Sequence, residues 1–172
     1  MNFMRPSLAL LCCASFLCAS PPARTANPDP YEPLKLYDGG WQVKITKPEK
    51  KPDHLVNHCA RTGTFFSCEQ ELNGKTVALV IFLPMGKSDS GGLEYLTLVA
   101  QPDASKPGDW GRLVIEGSTW TYSWTEKNGE KTVAARNVNH FKDKDHIHFE
   151  LQRIEDGVNW KTEMAGDEER VK

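Results

Sequence analysis

Asn57-His-Cys-Ala-Arg-Thr-Gly-Thr-Phe-Phe-Ser-Cys-Glu69 holds two cysteines, Cys59 and Cys68, around a Gly63-Thr64 pair. With Gly63-Thr64 as a two-residue hairpin loop, Thr62 faces Phe65, Arg61 faces Phe66 and Cys59 faces Cys68. Gly at the first loop position is what a type II′ turn requires, because only Gly takes that positive φ without strain. Counting outward, cross-strand pairs alternate between hydrogen-bonded and non-hydrogen-bonded, and 59/68 falls in the second class. There the Cα atoms approach to about 4.5–5.5 Å, and a disulfide can close. The spacing therefore predicts a cystine hairpin, its register and an oxidising compartment.

Strand signals continue on both sides of this hairpin. Before it, Trp41, Val43 and Ile45 alternate with polar residues. After it, Asn73-Gly74 marks a turn into Lys75-Thr-Val-Ala-Leu-Val-Ile-Phe-Leu83, which is apolar at both parities and predicts a strand covered on each side. Leu93 to Gln101 and Trp110 to Glu116 follow. Trp120, Tyr122 and Trp124 then alternate with Thr121, Ser123 and Thr125, up to Asn128-Gly129, a type I′ hairpin signal. Lys131 to Phe141 passes through a Lys-Asp-Lys-Asp turn into His146 to Arg153, and Asp156-Gly157 turns the chain into Val158 to Met164. No helical periodicity of useful length occurs. The fold class expected is all-β: an antiparallel meander of about eight to ten strands closed into a barrel, since closure removes exposed edges. The Gly/Pro/Ser/Asp-rich breaks at 84–92 and 102–109 are expected at the barrel rim.

The N-terminus reads as an export signal over residues 1–26. Arg5 supplies the positive end, Leu8 to Leu17 the apolar stretch, and small residues follow. That stretch is shorter than the about 20 apolar residues a membrane span needs. Cys12, Cys13 and Cys18 lie within it, so an exported chain keeps only Cys59 and Cys68, an even number. Removing residues 1–26 takes away two of the 21 basic side chains and none of the 23 acidic ones, leaving a net charge of −4. No basic cluster points to nucleic acid, and no second apolar segment points to a membrane span. No Asn-X-Ser/Thr acceptor occurs, which favours a bacterial periplasm over a eukaryotic secretory route. The expected localisation is secreted or periplasmic. Residues 27–38 read as a Pro-rich tether, 39–164 as one barrel domain, and 165–172 as a charged tail.

At Gly39-Gly40-Trp41 the chain resembles a known family. A Gly-x-Trp opening the first strand of an antiparallel exported domain is similar to the start of lipocalins and the looser lipocalin-like (calycin) group. It also resembles small bacterial exported proteins of unknown function with lipocalin-like folds. The resemblance implies that Trp41 plugs the closed end of the barrel and that the interior holds a small apolar ligand. It further implies that a basic residue near the end of the chain, Arg153 or Arg170, stacks on Trp41.

Three groups of residues are candidates for a site. Trp120, Tyr122 and Trp124 share one face, and the Thr/Ser/Thr alternates make that face the inward one. Inward aromatics either close-pack a small barrel or line a cavity. As a ligand site they suit an acyl chain or flat apolar ring better than a sugar or nucleotide. His146, His148 and Glu150 also share one face and are metal-ligand types, with His140 near the adjoining turn, expected opposite His146. Their alternation with Ile147, Phe149 and Leu151 instead predicts that those apolar residues fill the core and the histidines face water, so no metal is expected. His54, His58, Arg61, Glu69 and Glu71 surround the cystine, but oxidised cysteines supply no nucleophile. No Gly-x-Ser-x-Gly elbow and no Gly-rich loop opening a helix occurs, so no catalytic residue and no cofactor is assigned. The leading expectation is a lipocalin-like binder of a small hydrophobic molecule. The rival is an envelope accessory or protein-interaction module whose filled barrel carries the two long loops; a metal-dependent enzyme comes third.

Overall fold

In the computed structural model, residues 28–103, 108–128, 131–154 and 158–172 are described. The expected export signal, residues 1–26, and the expected turn residues Gly129, Asp156 and Gly157 lie outside them. The cystine hairpin sets the local register. Cys59 pairs with Cys68, Arg61 with Phe66 and Thr62 with Phe65, and Gly63 turns the chain at φ +63°. The disulfide is closed, with Cα atoms 4.0 Å apart. At the next turn Asn73 and Gly74 both take positive φ, the conformation a type I′ turn requires.

Ten strands follow one another: β1 (Gly39–Lys47), β2 (Asp53–Thr62), β3 (Phe65–Leu72), β4 (Lys75–Lys87), β5 (Leu93–Ala100), β6 (Asp109–Glu116), β7 (Thr119–Asn128), β8 (Lys131–Phe141), β9 (His146–Ile154) and β10 (Trp160–Arg170). Each pairs antiparallel with its neighbour in the chain, and β10 returns to pair with β1, closing the barrel. The strand count is the upper end of the expectation and exceeds the eight of a lipocalin barrel. Alternation then decides what faces inward: Trp41, Val43 and Ile45 on β1, Ile147 and Phe149 on β9, and Leu113 and Ile115 on β6 are all buried.

Several elements differ from the sequence reading. Residues 165–170, read as a charged tail, form the second half of β10 and pair with β1 from Lys47 back to Trp41. Their charges did not exclude them from the wall because Gly166 admits the Phe149 ring, which lies 2.8 Å from where a Cβ would stand. Glu168 and Arg170, also inward, find partners described below. The segment read as a tether holds a 3-10 helix, Glu32–Tyr37, with Leu34 buried. Tyr31 and Leu34 are 3% and 2% exposed. They cork one end of the barrel, where the Tyr31 hydroxyl donates to the Thr64 and Phe82 carbonyls at 3.1 and 3.3 Å. We call this end the floor.

The two long breaks leave the barrel at opposite ends. The β4–β5 connection lies at the floor beside Pro33 of the cork, and the β5–β6 connection at the other end. The alternating strand directions of an antiparallel meander dictate this separation. The first break is also shorter than expected, because β4 runs on to Lys87. Strand β4 is covered on its inner face alone. Val77 and Leu79 are exposed outside, beside Ile81, which pairs with Leu98, and Leu98 pairs with exposed Trp110. No described element packs over this outer face.

Candidate functional site

Trp41 anchors the floor. It is fully buried, and its indole N–H donates to the Tyr37 carbonyl at 3.1 Å. Arg170 lies over its ring, 4.2 Å from the centroid, and donates to the Leu36 and Asp38 carbonyls at the end of the cork helix. One guanidinium thus ties the last strand, the first strand and the cork together. Of the two basic residues the family resemblance offered, Arg170 takes this place, and Arg153 sits at the far end of the barrel.

Above the floor the interior is not filled. A cavity of about 360 Å³ extends from Leu34 and Tyr37 upward between the strands. Trp120, Tyr122 and Trp124 all line it. Trp120 sits lowest, against Phe141 at 4.6 Å between ring centroids. Tyr122 and Trp124 stack on each other at 5.0 Å. The three aromatics therefore serve as core and as cavity wall at once. At the end away from the cork the lining reaches Asp109, which is solvent-exposed. We call that end the mouth.

The cavity lining is an apolar wall with polar edges. On β4 to β7 the lining is Val80, Phe82, Val99, Leu113 and the aromatic triplet. Flanking that wall are neutral amides, Asn137 and Asn139 of β8 paired with Tyr122 and Trp120, and Gln70 of β3 paired with Ala78, with the Tyr37 ring below them from the cork. The Asn137 amide donates to the Asn139 carbonyl oxygen at 2.9 Å, and Gln70 donates to Asn57 at 3.0 Å. Asn57 is fully buried, and its side chain faces the Tyr37 phenol. Thr97 is equally buried on β5. It stands beside the Tyr122 phenol and draws that pKa downward, against the larger effect of burial, which raises it.

Tyr122 reaches Thr97 because of a glycine. At Gly111 a Cβ would meet the Tyr122 ring at 2.5–2.7 Å, so the bare backbone leaves room for the phenol to lie flat across β6. Without that gap the ring would swing into the cavity.

Two carboxylates mark the ends of the interior. Glu168, 5% exposed, accepts the Tyr37 hydroxyl at 3.0 Å. Burial pushes its pKa up to about 7, and the Tyr37 hydrogen bond only partly opposes that. The Tyr37 phenol is raised well above its ordinary value by its own burial and by Glu168. Toward the mouth, Glu126 accepts the Trp124 indole N–H at 2.8 Å and the Arg153 guanidinium at 3.0 and 3.2 Å. The hydrogen bond from Arg153 holds Glu126 below the usual carboxylate range. Arg153 also pairs with Glu163. Trp124 is thereby fixed by a chain of polar contacts at the rim.

The other candidate cluster is not drawn together around a common centre. His146 pairs with Asp143 at 2.8 Å and His148 with Asp167 at 3.0 Å. Glu150 accepts Gln152 at 2.7 Å and Thr162 at 2.8 Å, and also lies 3.9 Å from His148. All lie outside the barrel, opposite in parity to Ile147 and Phe149, as the alternation predicts. His140 faces His148, one pair away from the expected His146, because the turn spans four residues and Phe141 pairs with Ile147. Among the described residues no group of three or more such side chains is placed to hold a metal ion.

Sequence reasoning missed Gln70, Asn137, Asn139, Asp109, Leu34 and Tyr37 as lining residues. For the asparagines a faint signal existed, since both share parity with inward Ala135 and Phe141. For Leu34 and Tyr37 the i, i+3 spacing in a Pro-led segment was the available cue.

Known proteins add little to this picture. No family model matches the chain, and no curated protein does. Among solved structures, the chain is similar to the crystal structure of Rv2717c from M. tuberculosis. The identity is 14%, over 85% of this chain and 99% of that one, with a TM-score of 0.46. The barrel described above stands on its own topology, independent of that likeness.

Proposed function

We propose that this is an exported, lipocalin-like barrel that binds a small apolar or amphipathic molecule in its interior. One observation carries the reading: a cavity of about 360 Å³ walled by Trp120, Tyr122 and Trp124. Protein interiors normally pack to crystal density, whereas ligand pockets occupy about 300–1,000 Å³ and are mostly apolar with a few polar groups. Export is supported by the closed cystine and by the apolar N-terminal segment. The Trp41–Arg170 stack over a corked floor supports the lipocalin-like mode of closure.

Titration with the neutral dye 1-N-phenylnaphthylamine tests the reading. Saturable one-to-one binding is expected, and Leu113→Trp and Val99→Phe, each filling the cavity, should abolish it while the far-ultraviolet circular dichroism is retained. Non-saturable partitioning, or unchanged binding in two folded filling variants, would overturn it. A second reading, an envelope interaction module, is favoured by the exposed outer face of β4 to β6 at Val77, Leu79 and Trp110. Under that reading Leu79→Lys with Trp110→Lys alters the sedimentation coefficient, and dye binding does not saturate.

A further inference from the structure

We infer that the cavity is built for a molecule with an apolar body and an uncharged hydrogen-bonding group, and that it rejects both carboxylates and ammonium ions. This rests on the proposed binding function and specifies its ligand.

The apolar body has its place on β4 to β7, where Val80, Phe82, Leu113 and the aromatic triplet form a continuous wall. The hydrogen-bonding group has its place at the two edges of that wall, on β8 beside the aromatic triplet and on β3 beside β4. Gln70, Asn137 and Asn139 present neutral amides there, and the bonds from Gln70 to Asn57 and from Asn137 to Asn139 engage only part of each amide's capacity. The fully buried Asn57 and Thr97 lie just behind the lining on β2 and β5, against the Tyr37 and Tyr122 phenols. Lining amides with spare hydrogen-bonding capacity beside an unfilled space suit a polar guest.

Charge is matched nowhere in the interior. No Lys, Arg or His is among the residues lining the cavity. Arg153, the inward-facing cation near the mouth, is already shared by Glu126 and Glu163. A carboxylate guest would meet Glu168 behind Tyr37 at one end and Asp109 at the other. An ammonium head seated deep among the amides would find no buried partner ion, because Tyr37 already occupies Glu168 and Asp109 is exposed to water. An amide, ester or alcohol avoids both penalties.

The experiment compares decanamide, decanoate and decylammonium, which share one chain, as competitors of the bound dye at neutral pH. Burying an unpaired charge costs far more than burying a satisfied amide, so decanamide should displace the dye at concentrations roughly tenfold lower than either ion. Asn137→Leu with Asn139→Leu should erase that advantage while the dye still binds. Gln70→Leu should reduce it and serves if the double variant does not fold. Decanoate or decylammonium competing as well as decanamide would overturn the inference, as would an undiminished advantage in the folded variants. Displacement by none of the three would also overturn it while leaving dye binding intact. Failure of the dye itself to bind would instead sink the proposed function.

Discussion

Glu168→Gln should remove a pH dependence from the stability of the barrel. Glu168 faces Val43 on β1 and Ile147 on β9, with the Tyr37 phenol of the cork as its polar partner. Its ordinary value of 4.5 is raised to about 7, mainly by burial. The folded protein therefore holds this proton more tightly than the unfolded chain does. The stabilising contribution is complete below about pH 4.5, declines as pH rises, and is lost above about pH 7. A shift of about 2.5 units at 1.36 kcal/mol each amounts to roughly 3 kcal/mol over the whole window, most of it between about pH 5 and 8. Gln keeps the shape and the hydrogen-bonding capacity but does not titrate. Urea denaturation of wild type and variant at pH 5, 6, 7 and 8 gives the difference in unfolding free energy at each pH, with other titrating groups cancelling. The wild type should lose about 2–3 kcal/mol relative to the variant across that range. A difference that stays flat, or that grows in favour of the wild type as pH rises, would refute a buried, proton-holding Glu168.

Other variants test separate parts of the structure. Trp41→Ala removes a fully buried indole together with the platform for Arg170. It should cost about 3–5 kcal/mol by thermal or urea unfolding, and wild-type stability would mean that the floor is not built on it. Cys59→Ser with Cys68→Ser opens a ten-residue loop and should lower stability by about 2–3 kcal/mol without abolishing the fold; alkylatable thiols in the native oxidised protein would contradict the pairing. Gly111→Ala should push the Tyr122 ring toward the cavity. A stability loss of about 1–3 kcal/mol with weakened dye binding is expected, and a neutral effect on both would show that the ring does not need that space.

Much of the architecture was legible because period-two alternation is a local signal. The 59/68 pairing followed from one turn residue, and the inward faces of β1, β7 and β9 followed from Trp41, from Trp120 with its Thr and Ser alternates, and from Ile147 and Phe149. What escaped the reading depends on contacts distant in sequence. Glu168 and Arg170 look like a solvated end until Tyr37, 131 residues earlier than Glu168, and Trp41 are brought against them. The cork helix offers one i, i+3 pair, Leu34 and Tyr37, as its whole periodic signal, and Leu34 declares itself apolar core only beneath a barrel that it closes. Both parities of β4 are apolar, so the sequence suggested cover on two faces, whereas a single-layer barrel wall covers one. Asn137 and Asn139 sit at inward parity as polar residues, a local inconsistency of the kind that marks functional positions.

The central claim is that a ligand enters the barrel and lies against Trp120 and Trp124. Indole N–H resonances of the ¹⁵N-labelled protein, followed by NMR during titration with a neutral apolar probe, test it most directly. The Trp124 indole, held by Glu126 at the rim, and the Trp120 indole should shift saturably, with one affinity shared between them. The Trp110 and Trp160 indoles, on exposed residues, should stay in place. Saturable shifts confined to Trp110 and Trp160, or no shift at Trp120 and Trp124 at saturating probe, would contradict an interior site.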